Sequence, residues 1–145
     1  VDRYRDALSP ATSRGCHQGL LGVGNSFAGI LEDIRSERQR KRCPVAVIIT
    51  KPPETVVAFL PPDNGGETAG TEGLPSRRQW LLFDSHPRPQ LRLTGASVRS
   101  FEGELALVAA LMQIFPALDL EGDNVMTSMY NMIDCTPFVL KQGQT

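Results

Sequence analysis

The feature that most constrains the fold is a pair of apolar, β-branched runs separated by a short turn. Residues 45–49 (VAVII) are continuously apolar, and residues 55–60 (TVVAFL) follow after the turn-forming sequence Lys-Pro-Pro-Glu. Runs of this kind are typical of buried strands, and two strands joined by so short a turn pair antiparallel. The sequence therefore predicts strands near 45–50 and 55–60, side by side in one antiparallel sheet.

A third strand and two helices complete the predicted core. The run QWLLFD at 79–84 continues the meander, and 91–93 is a candidate short fourth strand. Apolar residues at helical spacing predict a helix over 27–42, and Ser100 can cap a second helix over 101–115. This order predicts an α+β fold, an antiparallel sheet flanked by helices. Because the apolar runs are continuous, we expect both faces of the sheet to be covered.

The segments outside this core have weaker patterns. Residues 1–25 contain closely spaced glycines and are expected to be irregular, and 61–78, with three Pro and four Gly, is predicted to be a surface loop. The core is thus 26–116, and 117–145 should hold a short helix, capped by Asp123, and a tail. The methionines of that helix, at 126, 129 and 132, are more typical of core filling than of a partner groove.

Length, charge and termini limit the function classes. The 145 residues make a single domain or the C-terminal part of one, and Val1 in place of Met favours a piece of a longer protein. With 15 Lys+Arg against 16 Asp+Glu, the net charge of −1 argues against nucleic acid as a partner. No apolar run is long enough for a membrane span, and the first ten residues do not resemble a signal peptide.

The cysteines and glycines indicate neither a disulfide framework nor a cofactor. Cys16, Cys43 and Cys135 are odd in number and include no CxxC, so we expect an intracellular chain, cytoplasmic or nuclear. The glycines of 19–26 lack the Lys-Ser/Thr of a phosphate-binding loop. His17 has no neighbours at metal-ligand spacing and is interpreted as an exposed loop histidine. We expect no cofactor and no metal.

The basic run over 35–42 (RSERQRKR) has three possible roles. It can be a nuclear address, a contact for an anionic partner, or the solvated end of a helix, where positive charge suits the helix dipole. The solvated helix end is the simplest of these interpretations.

The most informative stretch for chemistry is WLLFDSHPR at 80–88. Residues two apart in a strand share a face, so Asp84 and His86 should project together where Pro87 ends the strand. A carboxylate beside an imidazole fixes the imidazole's tautomer and orientation, which is how a general base is prepared for a nucleophile. The plainer alternative is that Asp84 only caps a turn.

The order of elements around this motif resembles one family of proteases. Strand, turn and strand over 45–60, then WLLFDSHPR, then Gly95-Ala96 and a Leu-rich helix, are similar to the C-terminal half of papain-like cysteine proteases of the herpesvirus tegument deubiquitinase type. The resemblance covers about residues 44–115. It implies a papain-like half-domain, with His86 as general base, Asp84 as its orienting residue, and ubiquitin or a ubiquitin-like protein as the partner.

The nucleophile is where this sequence departs from that family. There the catalytic Cys begins a helix and follows a Gln or Asn, whereas Cys16 precedes His17-Gln18 and a Gly-rich stretch. Cys16 is nevertheless the candidate nucleophile within the chain; Cys43 and Cys135 have no matching context. Either an upstream Cys acts with His86, or the chain is a pseudoprotease or adaptor that binds ubiquitin or a protein regulator. An unrelated α+β adaptor is the remaining alternative.

Overall fold

The structure, a computed structural model, describes residues 8–23, 26–37, 44–62 and 79–140. Within these ranges, seven strands and three α-helices form an α+β fold around one antiparallel sheet. The strands are β1 (Leu8–Pro10), β2 (His17–Leu20), β3 (Val45–Lys51), β4 (Glu54–Leu60), β5 (Gln79–Asp84), β6 (Ser97–Glu102) and β7 (Met132–Leu140). The helices are α1 (Ser26–Glu37), α2 (Glu104–Ile114) and α3 (Asn124–Asn131), with a 3₁₀ turn at Pro89–Leu91.

The strand order is β1-β7-β3-β4-β5-β6, and β2 also pairs with β7. The last strand in sequence therefore lies inside the sheet, between β3 and the two short N-terminal strands. The predicted meander of β3, β4 and β5 is confirmed, with Val47 opposite Ala58 and Ala58 opposite Leu82. Every pairing is antiparallel.

The core lies between one face of the sheet and helices α1 and α2. Alternate residues of each central strand are buried on that face, as the two-residue period of a strand requires, and they form one cluster with the apolar stripes of both helices. Helix α1 contributes Phe27, Ile30, Leu31 and Ile34, the stripe that the sequence predicts. Arg35 packs over the Trp80 ring, 5.5 Å from its centroid, and pairs with Glu104 of α2.

The opposite face of the sheet contradicts the expectation that both faces are covered. Ile48, Phe59, Phe83 and Val98 are 36–64% exposed there, and the register places Ile48, Val57, Phe83 and Val98 in one row across four strands. Within the ranges described above, helices cover only the first face. The apolar runs are continuous because the second face of the sheet is also apolar, although its side chains are partly exposed to solvent.

Two segments of the N-terminal half of the chain differ from the prediction. Residues 8–10 and 17–20, expected to be irregular, are β1 and β2, because β7 supplies a partner for their backbone groups. His17, expected in an exposed loop, is 1% exposed on β2. Helix α1 ends at Glu37. Residues 38–43, with Cys43 and most of the basic run, lie outside the described part, as do residues 63–78, where the sequence predicts a surface loop.

The second predicted helix begins later than expected, because residues 97–102 form β6 opposite β5. Ser100 and Glu102 lie in that strand, so they do not form a helix start. The junction is Gly103, whose φ of +103° suits glycine alone, and α2 follows at Glu104. Residues 91–93, expected to be a strand, belong to the 3₁₀ turn and one isolated bridge from Arg88 to Leu93.

The C-terminal segment also differs from its prediction. Asp123 caps α3 as expected and accepts a hydrogen bond from the Met126 amide at 2.8 Å. The methionines of this segment are wrongly predicted as core residues: Met126, Met129 and Met132 are 38%, 61% and 45% exposed. The expected tail is β7, a strand in the middle of the sheet.

Candidate functional site

The candidate site lies at the end of β5, where the ladder stops and Pro87 follows. Asp84 is the last residue of β5 and belongs to the buried face, so its carboxylate enters the interior and its side chain is 1% exposed. His86 is two residues on, past the end of the strand, and its side chain is 36% exposed. The same segment thus holds a buried carboxylate and an imidazole open to solvent.

The two side chains are in direct contact. His86 Nδ1 lies 3.0 Å from Asp84 Oδ1, and the His86 backbone amide donates to the same oxygen at 2.9 Å. The amide contact closes a turn of the kind that Asp residues form with the backbone two residues on. The expected side-chain pair and the plainer turn-capping role are therefore both present, on one carboxylate oxygen.

The second oxygen of Asp84 is held by an arginine that the sequence prediction did not assign. Arg88 Nε donates to Asp84 Oδ2 at 2.7 Å, and another nitrogen of the same guanidinium lies 2.7 Å from Glu54 Oε2. Arg88 is 5% exposed, and its charge is matched by carboxylates from β5 and the start of β4. This ion-pair chain fixes the carboxylate on the side away from His86.

These contacts keep Asp84 ionised. Burial by itself raises the pKa of a carboxyl group, but hydrogen bonds from Arg88, from the His86 amide and from the His86 ring outweigh burial and place the pKa of Asp84 below its ordinary 3.8. Burial also opposes the charge on Arg88, yet Asp84 and Glu54 raise the pKa of the guanidinium above its ordinary value. Both groups are charged at neutral pH.

An ionised Asp84 determines which nitrogen of His86 is protonated. A carboxylate accepts hydrogen bonds and cannot donate them, so His86 Nδ1 must carry the proton that it shares with Asp84 Oδ1. The neutral ring then has its lone pair on Nε2, the ring nitrogen not held by Asp84. Chemically, His86 is arranged to accept a proton through Nε2, and Asp84 would stabilise the resulting imidazolium.

The structure does not bring Cys16 to this pair. Cys16 precedes His17 on β2, and the register connects His17 to Asp84 through four successive strand pairings, about 19 Å at ~4.8 Å per strand. The row consists of His17, Cys135, Ile49, Val56 and Asp84. The candidate nucleophile and the candidate base thus lie near opposite edges of the sheet.

Cys135 lies three strands from Asp84 in the same row and faces the core at 1% exposure. Burial, with smaller effects of Cys16 and Asp134, raises the pKa of its thiol to about 12. Cys135 is therefore protonated at neutral pH, and a thiol in that form is a poor nucleophile. Cys16 and Cys135 are both free thiols.

Sequence reasoning missed Arg88 and Glu54 as members of the site. Arg88 is four residues after Asp84, beyond a proline, and no periodic pattern connects the two positions. The only signal for Glu54 in the sequence was its position directly before the predicted strand at 55–60. Their roles follow from the register of β4 and β5, which brings the two strand ends together.

No metal or membrane site is evident among the described residues. No three His, Cys, Asp or Glu side chains in 8–23, 26–37, 44–62 and 79–140 lie close enough to share a metal ion. Within the same ranges, no helix has the length and apolar character that a bilayer crossing requires.

Comparison with known proteins gives no assignment. No profile of a protein family matches the chain, and a search of curated proteins found no match.

Proposed function

We propose that this chain is a deubiquitinase-type, papain-like domain that binds ubiquitin or a ubiquitin-like protein and carries the base half of a cysteine peptidase site. The observation that supports the proposal is the 3.0 Å contact between a half-exposed His86 and a buried, ionised Asp84. A carboxylate fixed by a buried arginine holds the imidazole in the tautomer that accepts a proton at Nε2.

His86 would act on a thiol that approaches its Nε2. The thiol proton would pass to Nε2, the thiolate would attack the carbonyl carbon of the partner's C-terminal peptide bond, and the imidazolium would protonate the leaving amine. Water would then release the acyl group from sulfur. Asp84 remains ionised throughout and stabilises the imidazolium, and Arg88 keeps Asp84 in position.

Among the described residues, neither Cys16 nor Cys135 can supply that thiol. Cys16 lies near the opposite edge of the sheet from His86, and Cys135 is buried and protonated. In this proposal the chain therefore binds the tail of its partner without cleaving it, unless a cysteine from a longer parent chain reaches His86. We place the protein inside the cell, in the cytoplasm or nucleus, where its thiols stay reduced.

The first experiment separates binding from catalysis. Binding of unmodified ubiquitin is followed by two-dimensional NMR, and intact mass is measured after incubation with ubiquitin that carries a thiol-reactive C-terminal electrophile. We expect binding and no covalent adduct, because general-base and orienting groups work only as a unit with a nucleophile. A rapid adduct at Cys16 that is lost in His86→Ala would overturn the non-catalytic reading, and absence of ubiquitin binding would overturn the proposal itself.

The second experiment distinguishes a prepared base from a simple turn. The tautomer of His86 is read from the ¹⁵N shifts of its ring nitrogens in wild type and in Asp84→Asn. We expect the Nδ1–H form in wild type and its loss in the variant, because the asparagine side chain offers no charge to that proton. If both proteins show the same tautomer, Asp84 acts only on the backbone amide, and the adaptor alternative is favoured.

A further inference from the structure

Strand β6 is the last strand at its edge of the sheet. It pairs with β5 on one side, and no described strand lies on its other side. In an antiparallel sheet, successive residues of a strand direct their backbone N–H and C=O groups alternately to the two neighbouring strands. Half of the residues of β6 therefore direct these groups to an open edge. An extended chain can pair with such an edge as an additional strand, which is a recurring mode of peptide recognition.

The core side of β6 carries an arginine whose hydrogen bonds are incomplete. Arg99 is half-buried and lies opposite the fully buried Leu82, so its side chain is on the core side of the sheet. Its Nε and Nη2 atoms are buried and have no hydrogen-bond partner among the described residues. Ser97, two residues earlier and thus on the same face, has a buried hydroxyl that also has no described partner.

The two unpartnered nitrogens of Arg99 define the chemistry of the missing partner. Nε and Nη2 form one edge of the guanidinium, and such an edge binds a carboxylate through two parallel hydrogen bonds. A buried donor that makes no hydrogen bond is costly, most of all in a charged group. The guanidinium carbon also lies 5.6 Å from the centroid of the Phe101 ring, a contact that favours the cation at this position. These features together indicate a carboxylate ligand.

The other charges on the core side of β5 and β6 are matched within the chain. Asp84 at the end of β5 is paired with Arg88, and Arg35 of α1 is paired with Glu104 of α2. Arg99 is thus the cation on this face whose donors the described residues leave unmet. A carboxylate that reaches it from outside the chain would complement its charge.

We infer that β6 is a docking edge for an extended, acidic segment of a partner protein. The segment would pair with β6 as an additional strand and direct a Glu or Asp side chain to Arg99, with the Ser97 hydroxyl available to a neighbouring polar group. Backbone hydrogen bonds would supply affinity without regard to sequence, and Arg99 would select the carboxylate. The inference goes beyond the proposed function, because neither ubiquitin nor His86 takes part in it.

The test compares two peptides that differ in one side chain. The acidic peptide is Thr-Ser-Val-Ser-Glu-Ser-Val-Ser-Thr, and the control peptide has Gln in place of Glu. Two-dimensional NMR follows the β6 backbone amides and the Arg99 Nε–H during each titration. We expect the acidic peptide to shift these signals and to bind wild type about ten-fold more tightly than the control peptide, because only a carboxylate forms the charged, two-bond contact.

Substitutions in the chain test whether Arg99 reads the carboxylate. In Arg99→Gln we expect equal affinities for the two peptides. Arg99→Lys keeps the charge but loses the paired donors, so it should keep only a small part of the preference. Arg92→Gln is the matched control, because Arg92 is an exposed arginine before β6 and outside the strand. It should retain the full preference. Circular dichroism of each variant establishes that the fold is intact.

The outcomes that would overturn the inference are distinct. Equal affinities of wild type for the two peptides, or signal changes confined to residues outside β6, would overturn it. Equal loss of preference in Arg99→Gln and Arg92→Gln would show a general effect of charge and would also overturn it. Self-association of Arg99→Gln in the ultracentrifuge, without a peptide preference in wild type, would mean that Arg99 only keeps the edge from pairing with other chains. None of these results bears on ubiquitin binding, so the proposed function is tested separately.

Discussion

The two histidines of the chain lie near opposite edges of the sheet and have opposite surroundings. His17 is 1% exposed, its Nε2 is 3.0 Å from the Thr12 hydroxyl, and its Nδ1 has no hydrogen-bond partner among the described residues. His86 is 36% exposed and is held through Nδ1 by an ionised carboxylate. A buried histidine that contacts only a neutral hydroxyl, as His17 does, acts as a packing residue. A half-exposed histidine held by an anchored carboxylate, as His86 is, is prepared for proton transfer.

The largest expected effect comes from the anchor of His86. Asp84→Ala would leave Arg88 buried with only Glu54 to balance its charge, and an uncompensated buried charge costs about 3–5 kcal/mol of unfolding free energy. Glu54→Gln is the control: because Glu54 is 35% exposed, the expected loss is about 1 kcal/mol or less. Urea unfolding measures both. Equal losses of unfolding free energy in the two variants would mean that Asp84 balances the charge of Arg88 no better than Glu54 does.

The next effect compares the histidines directly. His17→Ala removes a fully buried ring and should cost about 2–4 kcal/mol, in the range of large-to-small core substitutions. His86→Ala removes a half-exposed ring and should cost less than about 1 kcal/mol. The two variants are compared by thermal and urea unfolding. A larger loss for His86→Ala would show that its ring is part of the packing, and the contrast between the two sites would fail.

The smallest effect is on the acid side of the stability profile. The pKa of Asp84 is lowered in the folded protein, so its contribution to stability is complete above the ordinary value of 3.8 and is lost as the pH falls through the folded-state pKa. Between pH 5 and pH 2, wild type should lose more unfolding free energy than Asp84→Asn, in which that group does not titrate. Parallel pH profiles for the two proteins would contradict the lowered pKa.

Local patterns were sufficient for the centre of the sheet and for the pair at its rim. The apolar runs within residues 45–60 and 79–84 are typical of strands. The two-residue spacing of Asp84 and His86 predicts that both side chains lie on one face of the strand. Both predictions depend on residues close together in sequence. For the same reason the resemblance to a peptidase motif could name a base and its orienting residue but no thiol.

The missed strands depend on partners far away in sequence. In β7, Pro137 argues against a central strand because it cannot donate to the ladder. The structure places Pro137 opposite the break between β1 and β2, where its carbonyl accepts from the Ala11 amide at 2.9 Å. The missing donor thus faces a gap that no local pattern reveals. In β6, Ser100 and Glu102 resemble a helix start, and pairing with β5 overrides that preference.

The rotation of α3 could not be predicted from spacing either. Methionines at helical intervals indicate one apolar face, but the pattern does not say whether that face is inside. Hydrogen bonds from Thr127 and Asn131 to the backbone at Leu118 and Leu120 decide it. These four bonds link elements that the sequence shows only as a short helix after a loop.

The position of β7 has a consequence for how the protein is made. Leu8 pairs with Leu140 and His17 with Cys135, so the N-terminal strands have no partner in the sheet until the last strand has been synthesised. Until then β3 is an open edge, and open edges invite pairing with other chains. Contacts across more than 110 residues also slow folding, because a long loop must close first. The sheet is therefore completed only after residue 140 has left the ribosome.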